Sequence, residues 1–159
     1  MDATELLTQA PGERIVTDSP RRRLVSELRR RRPGRVLVFT GRHSADANGG
    51  RRFIEQAALE AGRETVRFSD IEAEPAIGTV EKMTALIRQE KPAAVIALGG
   101  GSAMDTAKGI GIIATNPEFA DVVSLEGVAP TTKHAVFTIA VPTTAGTAAE
   151  VTINYVITD

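Results

Sequence analysis

The residues with the most chemical content lie in the stretch AAVIALGGGSAMDTAKGIG, Ala93 to Gly111. Gly99, Gly100 and Gly101 end an apolar run, and Ser102 opens what reads as a helix. Three residues without side chains let the backbone come close to a bulky anion. A helix start aims free N–H groups and the positive end of its dipole at the same spot. That is phosphate-binding chemistry. Ser102 can cap the helix or donate to a phosphate oxygen. Asp105 follows at a capping-box-like spacing, and because a carboxylate repels phosphate it is expected to face another part of the cleft. Lys108 stands three residues further on, where it can pair with Asp105 on one helical face. The plain alternative is a tight strand-to-helix turn with glycines chosen for sterics. The spacing GxxxxGK[ST] is absent, and the fingerprint GxGxxG fails because position 104 is Met.

A second loop, VPTTAGTAAEVT from Val141 to Thr152, sets three threonines around a glycine directly after another apolar run. Thr143, Thr144 and Thr147 offer hydroxyl donors with little bulk. A threonine-rich turn is the bland reading of this loop alone. Two such loops at neighbouring strand ends are less readily accidental.

The elements that must position these loops are legible as alternating strands and helices. RVLVFT (Arg35–Thr40) and AAVIAL (Ala93–Leu98) are short apolar runs without alternation, as strands buried on both faces should be. ETVRFSD and AVFTIAVP read as further strands, VTINYVIT as a fifth, and RIVTD (Arg14–Asp18) as a short one near the start. Ser19 and Pro20 open a helix with Leu24, Val25 and Leu28 inward, which Pro33-Gly34 ends. Phe53, Ile54, Ala57 and Ala58 sit at helical spacing before Gly62, and Val80, Met83 and Ile87 form the inner stripe of a helix over 77–89. GRHSADANGG, the region around Pro75 and residues 115–134 read as loops. This order implies one α/β domain over 1–159, a Rossmann-like parallel sheet with helices on both faces. Ligands of such sheets lie beyond the carboxyl ends of the strands, where the glycine and threonine loops fall.

Composition narrows the function classes. The chain has 159 residues, 42% of them hydrophobic, enough for a single core. A formal net charge of −1 does not call for nucleic acid or an anionic membrane. There is no cysteine, which removes thiolate chemistry and suits a reducing compartment. The first residues do not read as a secretory signal, and no apolar run approaches the roughly 18 residues of a membrane span. A soluble, cytoplasmic protein is expected. Arg21–Arg23 and Arg29–Arg32 put seven arginines in twelve positions. No aromatic residue is interleaved and the run wraps around its helix, so it reads as a solvated face rather than a nucleic-acid surface.

GGGSAMDTAK resembles the GGGSxxDxxK motif of the iron-containing (group III) alcohol dehydrogenases, and VPTTAGTAAEVT is similar to that family's second signature. The resemblance runs from about Arg14 to the last residue. It implies the N-terminal nucleotide-binding domain of a two-domain enzyme of the dehydroquinate synthase-like fold. Gly99, Gly100, Gly101 and Ser102 would hold the pyrophosphate, and Thr143, Thr144 and Thr147 would contact the cofactor near the cleft. Asp105 and Lys108 would lie at its edge. Many family members carry an Asp just after the first strand, where it binds the adenosine ribose. Here that position is Gly41, followed by Arg42 and Ser44, which suits a 2′-phosphate and resembles the NADP-preferring members. Asp46 is close enough to serve a ribose, so NAD stays open.

The family holds its divalent metal, iron or zinc, through an aspartate and histidines of a C-terminal helical domain. The resemblance implies that this domain is missing from the chain, which has only His43 and His134; both read as surface or turn residues, and no catalytic or metal-ligating residue is assigned. The resemblance implies a small alcohol or aldehyde as substrate of the complete enzyme and leaves a homodimer open. On its own the chain is expected to bind nucleotide and to turn over little. A truncated or vestigial nucleotide-binding module is the rival reading, and the zinc-using glycerol-dehydrogenase and sugar-cyclase branch is disfavoured by the complete threonine signature.

Overall fold

The computed structural model describes residues 18–41, 44–72, 76–119 and 131–152. The expected strand over Arg14–Asp18 lies almost wholly outside these residues, and so do the loop around Pro75 and most of the fifth strand.

Strands β1 (Val36–Gly41), β2 (Thr65–Ile71), β3 (Ala94–Gly99) and β4 (Thr138–Pro142) form a sheet in the order β2-β1-β3-β4, with every neighbouring pair parallel. β1 and β3 are the central pair, which is why their sequences show no alternation. Leu37, Phe39, Val95 and Ala97 face one side while Val36, Val38, Ala94, Ile96 and Leu98 face the other, all fully buried. The edge strands are only partly covered and carry polar residues accordingly.

Helices α1 (Pro20–Arg30) and α3 (Gly50–Glu60) cover one face, burying Leu24, Val25, Leu28, Ile54, Ala57 and Ala58. Helices α4 (Ile77–Glu90) and α5 (Gly101–Thr115) cover the other with Val80, Met83, Ile87, Met104, Ala107, Ile110 and Ile113. The α/β sandwich expected from sequence is the observed one. A four-residue helix, α2 (Ser44–Ala47), occurs inside the region expected to be loop. Ala45 is the reason: it is buried against the α1/α3 layer and ties the segment to the sheet.

β4 starts at Thr138, three residues later than its apolar run predicts. The chain before it is held instead by Asn116, fully buried at the end of α5. The Asn116 side chain accepts from the Lys133 backbone N–H at 3.0 Å and donates to the Lys133 carbonyl at 3.1 Å. Both partners on Lys133 are backbone groups, so the contact acts as a peptide-like clip across the loop.

The arginine run does more than face solvent. Arg21 pairs with Glu60, Arg29 donates to the Glu60 carbonyl, and Arg32 donates to the carbonyls of Lys91 and Pro92. Arg23, Arg30 and Arg31 surround Glu27, a carboxylate whose side chain is only 8% exposed, and Arg31 lies over the Phe137 ring at 3.7 Å. Arg35 bridges Glu64 and Glu90 just ahead of β1. Arg32, Arg35 and Phe137 lie just before the strand starts, so much of this basic cluster binds the amino edge of the sheet, opposite the glycine loop.

The hydrogen bond from Arg31 holds the Glu27 carboxyl below its ordinary value of 4.5, with Arg23 and Arg30 adding to it against the opposing cost of burial. A depressed carboxylate pKa contributes stability above the unfolded-state value, and that contribution is lost as pH falls through the folded-state value. Glu27→Gln is therefore expected to lower stability by about 1–2 kcal/mol at neutral pH, the partly exposed arginines limiting the loss. Denaturant melts at pH 7 and below pH 4 check this: the gap between wild type and variant should close in acid.

Candidate functional site

The carboxyl ends of β3 and β4 bring the two loops together. Gly99 has φ +156, which residues with a side chain rarely adopt, and its carbonyl accepts from the Thr143 N–H at 2.9 Å. That bond carries the sheet ladder one step past the strands, so the loops leave in register. Gly100 is the N-cap of α5 and the helix begins at Gly101. Ser102 therefore sits inside the first turn rather than capping it, a correction to the sequence reading. It is part-buried, and its carbonyl accepts from Thr106 Oγ1 at 2.7 Å.

The glycines are required by closeness as well as by conformation. A Cβ on Gly100 would lie 3.1 Å from Thr144 Oγ1, and one on Gly101 would lie 3.3–3.4 Å from the Thr147 side chain. The glycine and threonine loops thus form one continuous wall, with hydroxyls on one side and bare backbone on the other. Thr144 and Thr147 are exposed. Thr143 Oγ1 is buried and finds no hydrogen-bond partner among the described residues. The threonine loop also carries Ala148 at φ +52 in the left-handed region, leading into a 3-10 turn at Ala149–Val151.

Asp105 and Lys108 form the expected pair, Nζ to Oδ1 at 2.9 Å, with both side chains largely covered on α5. Sequence reasoning missed the third member: Lys108 also donates to Thr152 Oγ1 at 3.1 Å, tying α5 to the end of the threonine loop. No local pattern signals a contact across that separation.

Gly41 closes β1 opposite Ile71, past a register shift between Phe39 and Gly41. Ser44 opens α2, while Arg42 and His43 lie outside the described residues. Asp46 is not a bare acid awaiting a ribose. Its carboxylate pairs with Arg51 and, at 3.4 Å, with Arg67 of β2. The Arg51 hydrogen bond, with both arginine charges, keeps its pKa below the ordinary carboxylate value. The Gly49-Gly50 pair in the sequence was a readable signal here: a Cβ on Gly50 would lie 3.2 Å from the Leu98 side chain, so the start of α3 is pressed against the end of β3.

His134 is exposed. Among the described residues, no group of three or more His, Asp or Glu could hold a metal ion. No helix among them is long and apolar enough to cross a membrane.

The glycine–threonine wall fits a dinucleotide. It offers a backbone cradle that a single Cβ would crowd, the N-terminus of a fifteen-residue helix, and a buried hydroxyl without a partner among the described residues. The sequence profile of iron-containing alcohol dehydrogenases matches residues 11–159. A lactaldehyde reductase of Escherichia coli (strain K12) is 52% identical over 99 residues, covering 62% of this chain and 26% of that protein. An NADPH-dependent butanol dehydrogenase of Clostridium saccharobutylicum is 42% identical over 102 residues, 63% of this chain and 26% of its own length. The crystal structure of an archaeal halo-thermophilic alcohol dehydrogenase from a Red Sea brine pool superposes with a TM-score of 0.80 at 28% identity, over 94% of this chain and 39% of that one. The chain spans about a quarter of the length of the curated relatives it matches. It belongs to the iron-containing alcohol dehydrogenase family.

Proposed function

We propose that this chain is the nicotinamide-dinucleotide-binding domain of a metal-dependent alcohol dehydrogenase or aldehyde reductase, with NADP favoured over NAD. The observation that carries the reading is the glycine–threonine wall, where Gly100 and Gly101 press against Thr144 and Thr147. Bound there, the cofactor supplies the hydride exchanged with an alcohol or aldehyde carbon. This chain's residues bind and orient it. The backbone at Gly99–Gly101 and the first turn of α5, with Ser102, receive the pyrophosphate. Thr143, with its unpartnered hydroxyl, and Thr144 and Thr147 donate from the facing loop. Asp105 and Lys108 stand at the edge of the cleft. The described residues do not assemble donors for the family's metal, so no step is assigned to one in this stretch.

The preference for NADP rests on Gly41, which leaves room where an acid would repel a 2′-phosphate, and on Arg42 and Ser44 beside it.

Titration of the purified chain with NADPH and NADH, read by nicotinamide fluorescence, tests both statements. Saturable binding is expected, with NADPH tighter by about tenfold, equivalent to ~1.4 kcal/mol. Tighter NADH would overturn the cofactor preference and keep the cradle. Binding of neither by a folded chain would overturn the cradle.

A further inference from the structure

We propose that Asp46, through its hold on Arg51 and Arg67, sets how strongly this chain discriminates between dinucleotides with and without a 2′-phosphate. This rests on the nucleotide reading above and deepens it. Three elements meet at this point. Asp46 comes from α2, five residues beyond the end of β1. Arg51 comes from the first turn of α3, whose Gly50 abuts Leu98, the residue before the glycine loop. Arg67 comes from β2, the neighbour of β1, in register with Val38. One carboxylate oxygen takes Arg51 Nε and the other takes Arg67 Nη1 at 3.4 Å, while Arg51 Nη1 reaches Glu55 at 3.0 Å.

Dinucleotides bind parallel sheets beyond the carboxyl ends of the strands, where an acid at the ribose selects a plain ribose and a nearby arginine accommodates a 2′-phosphate. This chain places both charges on that side of the sheet and cancels one with the other. Asp46 and Glu55 offset Arg51 and Arg67, so the cluster is formally neutral. The carboxylate orients two guanidinium forks and withholds their charge from a dianion. Asp46 is thus a positioning residue and a counter-ion, not a ribose ligand. All three side chains are between 38% and 45% exposed, so water and a ligand can both reach them.

Each change has a sign. Asp46→Asn leaves the arginines in place and adds one positive charge, which favours the phosphorylated cofactor. Arg51→Gln leaves Asp46 and Glu55 with one arginine between them, and Arg67→Gln removes one of the two guanidinium groups. Both variants disfavour the phosphorylated cofactor. A unit charge about 10 Å from a dianion in a water-exposed site changes its affinity by about threefold to tenfold. Exposed pairs contribute little to stability, so all three variants should fold, which circular dichroism checks.

The experiment is the NADPH and NADH titration of the chain and its three variants at low salt, read as the ratio of the two dissociation constants. Asp46→Asn should move the ratio toward NADPH by about threefold to tenfold, and the arginine variants should move it toward NADH by a similar factor. A purely structural ion pair would shift both cofactors together and leave the ratio fixed. That result in all three variants would overturn the assignment, as would a shift of Asp46→Asn toward NADH. If the wild-type chain binds neither nucleotide, the cradle itself is wrong and this assignment falls with it. Binding with an unmoved ratio removes only the role of Asp46.

Discussion

Gly101→Asp is expected to reduce nucleotide affinity by at least about a hundredfold while the domain stays folded, because a carboxylate within ~4 Å of a phosphate costs several kcal/mol in a site of intermediate polarity. The Cβ alone would sit 3.3 Å from Thr147 Cγ2, so the threonine side chain must give way by a few tenths of an ångström. The carboxylate would then lie at the mouth of the wall where the pyrophosphate is proposed to rest. The same position is the first residue of α5, where an acidic side chain favours the helix dipole, so stability is largely kept. The opposite signs make the experiment sharp. A folded variant with unchanged affinity would show that the glycines serve only the turn. Circular dichroism and the fluorescence titration together read both quantities.

The largest effect on stability is expected from Phe39→Ala. Phe39 is fully buried at the centre of β1, between α4 and α5 on one side and its strand neighbours on the other. Its ring meets that of Phe68 edge to face, with centroids 6.3 Å apart. Truncation removes the transfer energy of the ring and leaves a cavity that the rigid central strands cannot close, a loss of about 3–5 kcal/mol. That is a large part of the ~5–15 kcal/mol typical of a domain, so the midpoint of denaturation should fall steeply. Phe68→Ala, on the half-covered edge strand, should cost clearly less. Equal losses would mean that the ring pair, rather than burial at Phe39, carries the energy.

Burial was the most legible property of the sequence. The inward stripes read at Leu24, Val25 and Leu28, at Ile54, Ala57 and Ala58, and at Val80, Met83 and Ile87 are all buried in the fold. Phe53, placed with its neighbours at the same spacing, is only half-buried, because its side chain lies at the margin of the α1/α3 layer. Turn chemistry was legible where glycine demanded it, at Gly99 and through Gly101. It was less legible at Ser102, because helix ends are set only to within one or two residues and the N-cap falls at Gly100.

Where an arginine ends was not legible. Arg32 reaches carbonyls some 60 residues away and Arg63 returns to Leu28 and Arg31. A charge run read locally shows only its sign. Nor could Asp46 be assigned, since its partners are one turn along the chain and one strand across the sheet.

By itself, the sequence determined the alternation of strands and helices, the faces they bury and the place of the glycine and threonine loops after their strands. Each of these follows from side-chain periodicity or from backbone freedom within a few residues. Only the tertiary structure decided the strand order, the clip at Asn116, the buried Glu27 with its arginines and the contact of Gly100 and Gly101 with the threonines. Those depend on which distant segments share a sheet edge, and pairing across tens of residues leaves no periodic mark in the chain.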